Sequence, residues 1–169
     1  MSERARRIAV VAHCHLDVNT KVHGLADYAG ARRDLIERLL ASDVGLIQLP
    51  CPEATYLGMS RWGMTYEQYD TPAYRRHCRD ILRPTVDTLS ALAGDGCEVV
   101  AVYGVEGSPS CGVTETCRGY SAGGEIEGVA SGDREMPRAQ RTAGAGVFFE
   151  ELAAMLGAAG LELRLEGVR

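Results

Sequence analysis

Apolar and polar positions along the chain follow two different periods. Short apolar runs at 8–12, 44–49 and 99–103, with β-branched residues in each, are flanked by polar or turn-forming residues and read as buried strands. At 161–165 leucines alternate with Glu162 and Arg164, which predicts a final edge strand. Between these runs the spacing becomes helical. Leu35, Ile36, Leu39 and Leu40 share one face of a predicted helix at 30–42, with Arg32, Arg33, Glu37 and Arg38 outside. Thr71-Pro72 reads as an N-cap with proline in the first turn. The helix it starts is predicted to reach Ala93, to kink at Pro84, and to close at Gly94-Asp95-Gly96. A last helix at 147–156 carries Phe148, Leu152, Met155 and Leu156. Strands alternating with helices predict an α/β fold: a single domain over 1–169, Rossmann-like, with a mostly parallel sheet and helices on both faces.

Three of these strands deliver a cysteine at or just past the carboxyl end. Cys14 follows the first, Cys51 the second, and Cys111 lies in the turn Gly107-Ser108-Pro109-Ser110-Cys111-Gly112 after the third. A structural turn needs glycine or proline but not a thiol at its centre. Open α/β sheets bind ligands at this edge. The pattern therefore predicts one site assembled from three distant thiols.

Composition narrows the function classes. The 169 residues are 46% hydrophobic and 24% charged, an ordinary globular balance. A net charge of -5 argues against a broad nucleic-acid-binding face. No apolar stretch is long enough to span a bilayer, so no membrane partner is expected. Arg4, Arg6 and Arg7 precede an apolar run too short for a secretion signal, which suggests a cytoplasmic protein. In a reducing compartment six cysteines point to metal binding, catalysis or packing rather than disulfides. No pair has C-x-x-C spacing, so any metal ligands must be gathered by the fold. Cys78 falls within a predicted helix, Cys97 just before a strand and Cys117 in a loop, and these three read as structural or take no assignment.

Two further stretches have no clean period. Residues 56–69 hold Met59, Trp62, Met64 and three tyrosines, and read as pocket lining or as a satellite core. Residues 119–146 are glycine-rich and read as a surface excursion or as a lid over the thiol site.

Three thiolates admit three chemistries. Zinc would take them with a fourth ligand such as His13, His15 or water. An iron–sulfur cluster held by only three cysteines keeps one iron open as a Lewis acid. Without metal, Cys111 among the backbone amides of its turn could be a low-pKa nucleophile. Spacing does not choose between them.

Three motifs resemble the 2-thiouracil desulfurase family. Cys14-x-Leu16-x-Val18-Asn19-x-Lys21-x-x-Gly24 is similar to its opening motif. Cys51-Pro52-Glu53 matches its Cys-Pro-Glu, and Ser108-Pro109-Ser110-Cys111-Gly112 its Ser-Pro-Ser-Cys-Gly. The match spans roughly the first two thirds of the chain. Thr20 stands where the family has a second cysteine, Val22 and His23 replace its Tyr-Asp, and Asp17 replaces a glycine. The resemblance implies a [4Fe–4S] cluster held by Cys14, Cys51 and Cys111, with one iron not ligated by cysteine. It implies an enzyme that converts C=S to C=O in a small sulfur-containing heterocycle and releases sulfide. On that reading Glu53 is the general acid/base and Ser108 a second catalytic group, while Asn19 and Ser110 bind substrate. The blander roles are a salt-bridged carboxylate, turn-forming serines and a loop-capping asparagine. A non-catalytic iron–sulfur or sulfide-carrier protein is the alternative function, alongside the metal-free nucleophile.

Overall fold

The computed structural model describes residues 4–119, 126–132 and 138–169. In chain order the elements are β1 (Arg7–Val11), α1 (His13–Leu16), a 3-10 turn (Val18–Thr20), α2 (Arg33–Leu40), β2 (Gly45–Gln48), α3 (Pro52–Leu57), α4 (Tyr66–Tyr69) and α5 (Pro72–Gly94). Then come β3 (Glu98–Val105), β4 (Glu115–Arg118), α6 (Ile126–Ala130), β5 (Gln140–Ala143), α7 (Val147–Ala158) and β6 (Leu165–Val168).

Four strands form a parallel sheet in the order β2-β1-β3-β6. The chain steps from β1 to β2 in one direction, then crosses back over β1 to lay down β3. Strand order therefore reverses between β1 and β3, and a crevice opens outside their carboxyl ends. Side chains alternate across the sheet. Val10 and Val102 face a core built with Leu82, Leu89, Phe148, Phe149 and Leu152 of α5 and α7. Ala9, Val11, Ala101 and Tyr103 face the smaller core under Leu35 and Leu39 of α2. Burying each large side chain is worth about 2 kcal/mol, so the two cores fix which way every strand faces. The expected α/β architecture, a parallel sheet with helices on both faces, is what the chain adopts. Among the described residues no helix is long and apolar enough to cross a membrane.

Helix α5 begins as its sequence predicts: the Thr71 hydroxyl accepts from the Tyr74 N–H at 3.2 Å, and Pro72 sits at the first position. It continues through Pro84 as one 23-residue span. Helix α2 starts later than its periodicity predicts, because the residues before it are tied to the first loop. Arg32 N–H donates to the His15 carbonyl and Gly30 accepts from Val18 N–H. The last strand is also displaced. Leu161, Leu163 and Leu165 do pack on the larger core, so the alternation is real, but only Leu165–Val168 pairs with β3. The excursion at 119–146 is partly regular. Its strand β5 pairs antiparallel with β4, Cys117 opposite Arg141. The lid expectation also covers 120–125 and 133–137, which lie outside the described residues.

Candidate functional site

The three thiols arrive on one cavity. Cys14, Cys51 and Cys111 all line a space of about 460 Å³ at the carboxyl edge of the sheet, together with Glu53 and Ser108. Each thiol is placed by a different device. Cys14 rides on α1, where its carbonyl accepts from the Tyr28 hydroxyl at 2.8 Å and its sulfur lies 3.9 Å from the Thr20 hydroxyl. Cys51 caps α3, its sulfur accepting from the Ala54 N–H at 3.4 Å ahead of Pro52. Cys111 sits in a turn clasped by α7, whose first N–H groups donate to the Pro109 and Ser110 carbonyls.

That turn leaves no amide for the Cys111 sulfur. The N–H groups of Ser110 and Cys111 both donate to the Ser108 hydroxyl oxygen, at 3.3 and 2.9 Å, and that of Gly112 to the Ser108 carbonyl. Burial, then the neighbouring Cys14 and Cys51, push the Cys111 thiol well above its ordinary value. Burial and Cys51 push Cys14 up to about 11. A free nucleophile needs the opposite shift, so these surroundings disfavour the low-pKa option for Cys111. The zinc ligands proposed among the histidines also fail to reach the cavity. His15 is buried against the Gly104 carbonyl at 3.0 Å, and His13 faces Asp17 at 3.6 Å.

The remaining candidates separate. Glu53, in the first turn of α3, reaches the cavity and pairs with Arg61 at 3.2 Å, both side chains nearly buried. The buried Tyr69 phenol is pushed up by burial and by this carboxylate. Ser108 faces the cavity, and since its oxygen accepts two N–H groups its hydroxyl proton remains available. Ser110 does not reach the cavity: it is fully buried, with its hydroxyl 2.9 Å from that of Tyr74. Asn19 is exposed outside the cavity lining, and its amide donates at 2.7 Å to Asp17, the residue that caps the 3-10 turn. Neither is placed to bind substrate there.

Over 110 residues the chain is 40% identical to the uncharacterized protein MJ0003 of Methanocaldococcus jannaschii, covering 65% of this chain and 70% of that protein. The chain belongs to the MJ0003 family. No family model matches it, and no solved structure does.

The cavity has a second wall, drawn from the two aperiodic stretches that read as pocket lining or satellite core (56–69) and as surface excursion or lid (119–146), and from Cys117, which took no assignment. Cys117 on β4 and Arg141 on β5 line it, as do Arg61 and Met64 from the irregular aromatic segment. That segment is divided: Tyr66 and Tyr69 are core, whereas Met59 and Trp62 are exposed. Only alternating threonines at 114 and 116 hinted at β4. Among the described residues no three His, Cys, Asp or Glu side chains are gathered tightly enough for a single metal ion. The donor set on the cavity is soft sulfur, which suits iron–sulfur chemistry.

Proposed function

We propose that the protein is a [4Fe–4S]-dependent desulfurase of the 2-thiouracil desulfurase type, acting in the cytoplasm on a thiocarbonyl compound such as a thiolated nucleobase. The supporting observation is the arrival of three thiols, from three separate strand ends, on one cavity that also carries Glu53 and Ser108. Cys14, Cys51 and Cys111 would hold the cluster. When bound, it supplies an open Lewis-acidic iron for the thiocarbonyl sulfur.

The chain's own groups do the rest. Arg61 donates to Glu53 Oε2 and holds the carboxylate at the cavity, where it would take a proton from water as it adds to the C=S carbon. The Ser108 hydroxyl donates to the substrate beside Cys111. Collapse of the adduct forms C=O and expels sulfide, which leaves as H2S with both protons of the water. Carbon and sulfur keep their oxidation states, so no external electron donor is needed.

The test is anaerobic. Iron and acid-labile sulfide are measured in the purified, reconstituted protein, and sulfide release is followed over a panel of thiolated nucleobases and related heterocycles. Cys111→Ser should lose the iron, and Cys78→Ser, at a core position on α5, should keep it. Equal loss from both variants would show that the wrong thiols were chosen. A clustered wild type that turns over nothing in the panel would replace this reading with a sulfide carrier.

A further inference from the structure

Arg61 lies in an irregular stretch, yet its side chain is only 4% exposed. Each arm of its guanidinium has a separate partner. Nε donates to Glu53 Oε2 at 3.2 Å, Nη1 donates to the Gly58 carbonyl at 3.2 Å, and Nη2 makes a short bond to the Thr20 carbonyl. Glu53 and Gly58 bracket α3, the helix that Cys51 caps. Thr20 closes the loop that starts at Cys14, and its hydroxyl faces the Cys14 sulfur. One planar, five-donor group therefore joins two thiol-bearing segments that belong to different strands. Arg61 donates no hydrogen bond to the Cys111 turn, which is tied to β3, β4 and α7.

We propose that Arg61 is a positioning residue, whose guanidinium locks the Cys14 loop to the Cys51 helix and sets the spacing of those two thiols. The proposal rests on Cys14 and Cys51 forming one site, and it needs neither the cluster nor turnover to be tested. A lysine cannot substitute, because a single ammonium cannot span three acceptors in fixed directions.

The experiment uses the full-length apoprotein and bifunctional methanethiosulfonates of graded length. After brief reaction and digestion, mass spectrometry quantifies the Cys14–Cys51 and Cys51–Cys111 bridged peptides. The wild type should show a sharp optimum of linker length for Cys14–Cys51. In Arg61→Gln the yield at that optimum should fall about fivefold or more, as expected from losing more than one buried charge-assisted bond, and longer linkers should gain. The Cys51–Cys111 profile should keep its optimum, and Trp62→Ala should leave both profiles unchanged. Arg61→Lys should resemble Arg61→Gln, and it carries the test if circular dichroism shows that Arg61→Gln is unfolded. A folded Arg61 variant with the wild-type profile overturns the proposal. So does equal broadening of both thiol pairs, which would mean general loosening. A wild type that bridges Cys14 to Cys51 at no length would instead sink the shared-site reading itself.

Discussion

The two thiol-bearing sides of the cavity are held by different means. The Cys111 turn is held by main chain. Val105 N–H donates to the Cys111 carbonyl, Gly112 N–H to Ser108, Gly146 N–H to Gly112, and the start of α7 to Pro109 and Ser110. Gly107 adopts a φ of +78°, open to glycine at little cost, and a Cβ on Gly112 would collide with the Glu115 and Ser108 carbonyls. The Cys14 and Cys51 segments have backbone bonds of their own, but what ties them to each other and to their surroundings at the cavity is largely side chains: Tyr28 on the Cys14 carbonyl, Arg61 on three partners, and His15 across to Gly104. A wall made of backbone bonds cannot shift without breaking the sheet edge. A wall made of side chains can be retuned one residue at a time.

The sharpest way to break the contrast is Gly112→Ala. Backbone presses on the new methyl from two sides, and the turn cannot relax without losing its own bonds. Destabilisation of about 3 kcal/mol is expected, the upper end for overpacking, read as the urea midpoint. Gly30→Ala, where a Cβ would meet nothing within 4 Å, should change little. A mild Gly112→Ala would show that the Cys111 side is as adaptable as the other.

His15 tests the joint between the two sides. It is 1% exposed, and burial lowers its pKa from 6.5 to about 4. Below about 6.5 the unfolded imidazole takes a proton, whereas the folded one does so only near 4. The unfolded state therefore binds more protons within that window, and stability rises with pH across it. His15 should account for about 3 kcal/mol that is present above pH 6.5 and lost on acidification to pH 4. Urea titrations at several pH values should show this slope in the wild type and its absence in His15→Gln. Parallel slopes in the two proteins would mean that His15 is protonated in the fold.

The same contrast explains what was legible in the sequence. The strands that lead to Cys14 and Cys111 are continuous apolar runs because they lie at the centre of the sheet, buried on both faces, whereas β2, which leads to Cys51, is a half-exposed edge strand set between buried Val44 and Leu49; a turn built from backbone bonds needs glycine and proline at set places. Side-chain ties leave no local pattern. Arg61 meets Glu53 and Thr20, its partners on the two thiol-bearing segments, 8 and 41 positions away, and nothing beside it says that its guanidinium turns inward. Strands β4 and β5 are four residues each and partly exposed, so no apolar run marks them. Ser108 and Ser110 look equivalent in the motif, yet successive turn residues face opposite ways: one meets the cavity and the other the core. Asn19 suited a substrate role by type, but Asp17 two residues earlier claims its amide.

That buried serine gives a smaller effect. Tyr74→Phe removes the partner of the Ser110 hydroxyl in a fully enclosed site. About 1–2 kcal/mol should be lost, because a buried hydroxyl is left unpaired. Pairing it with Ser110→Ala should recover part of the loss, since neither orphan then remains. Additive losses from the two changes would mean that the hydroxyls do not depend on each other.

The smallest expected effect lies on the side-chain-held wall. Tyr28 donates to the Cys14 carbonyl at 2.8 Å, and its ring is flanked by Lys21 at 4.9 Å and Arg32 at 4.8 Å. Tyr28→Phe keeps the ring and both cation contacts and deletes one hydrogen bond at a partly buried position. The cost should be about 1 kcal/mol or less, and its consequence should be local. Cys14 alkylation by a monofunctional reagent should accelerate several-fold, about what a loss of that size allows, while Cys111 alkylation keeps its wild-type rate. The turn around Cys111 shares no bond with Tyr28, so a rise at both thiols would show that the two walls move as one body.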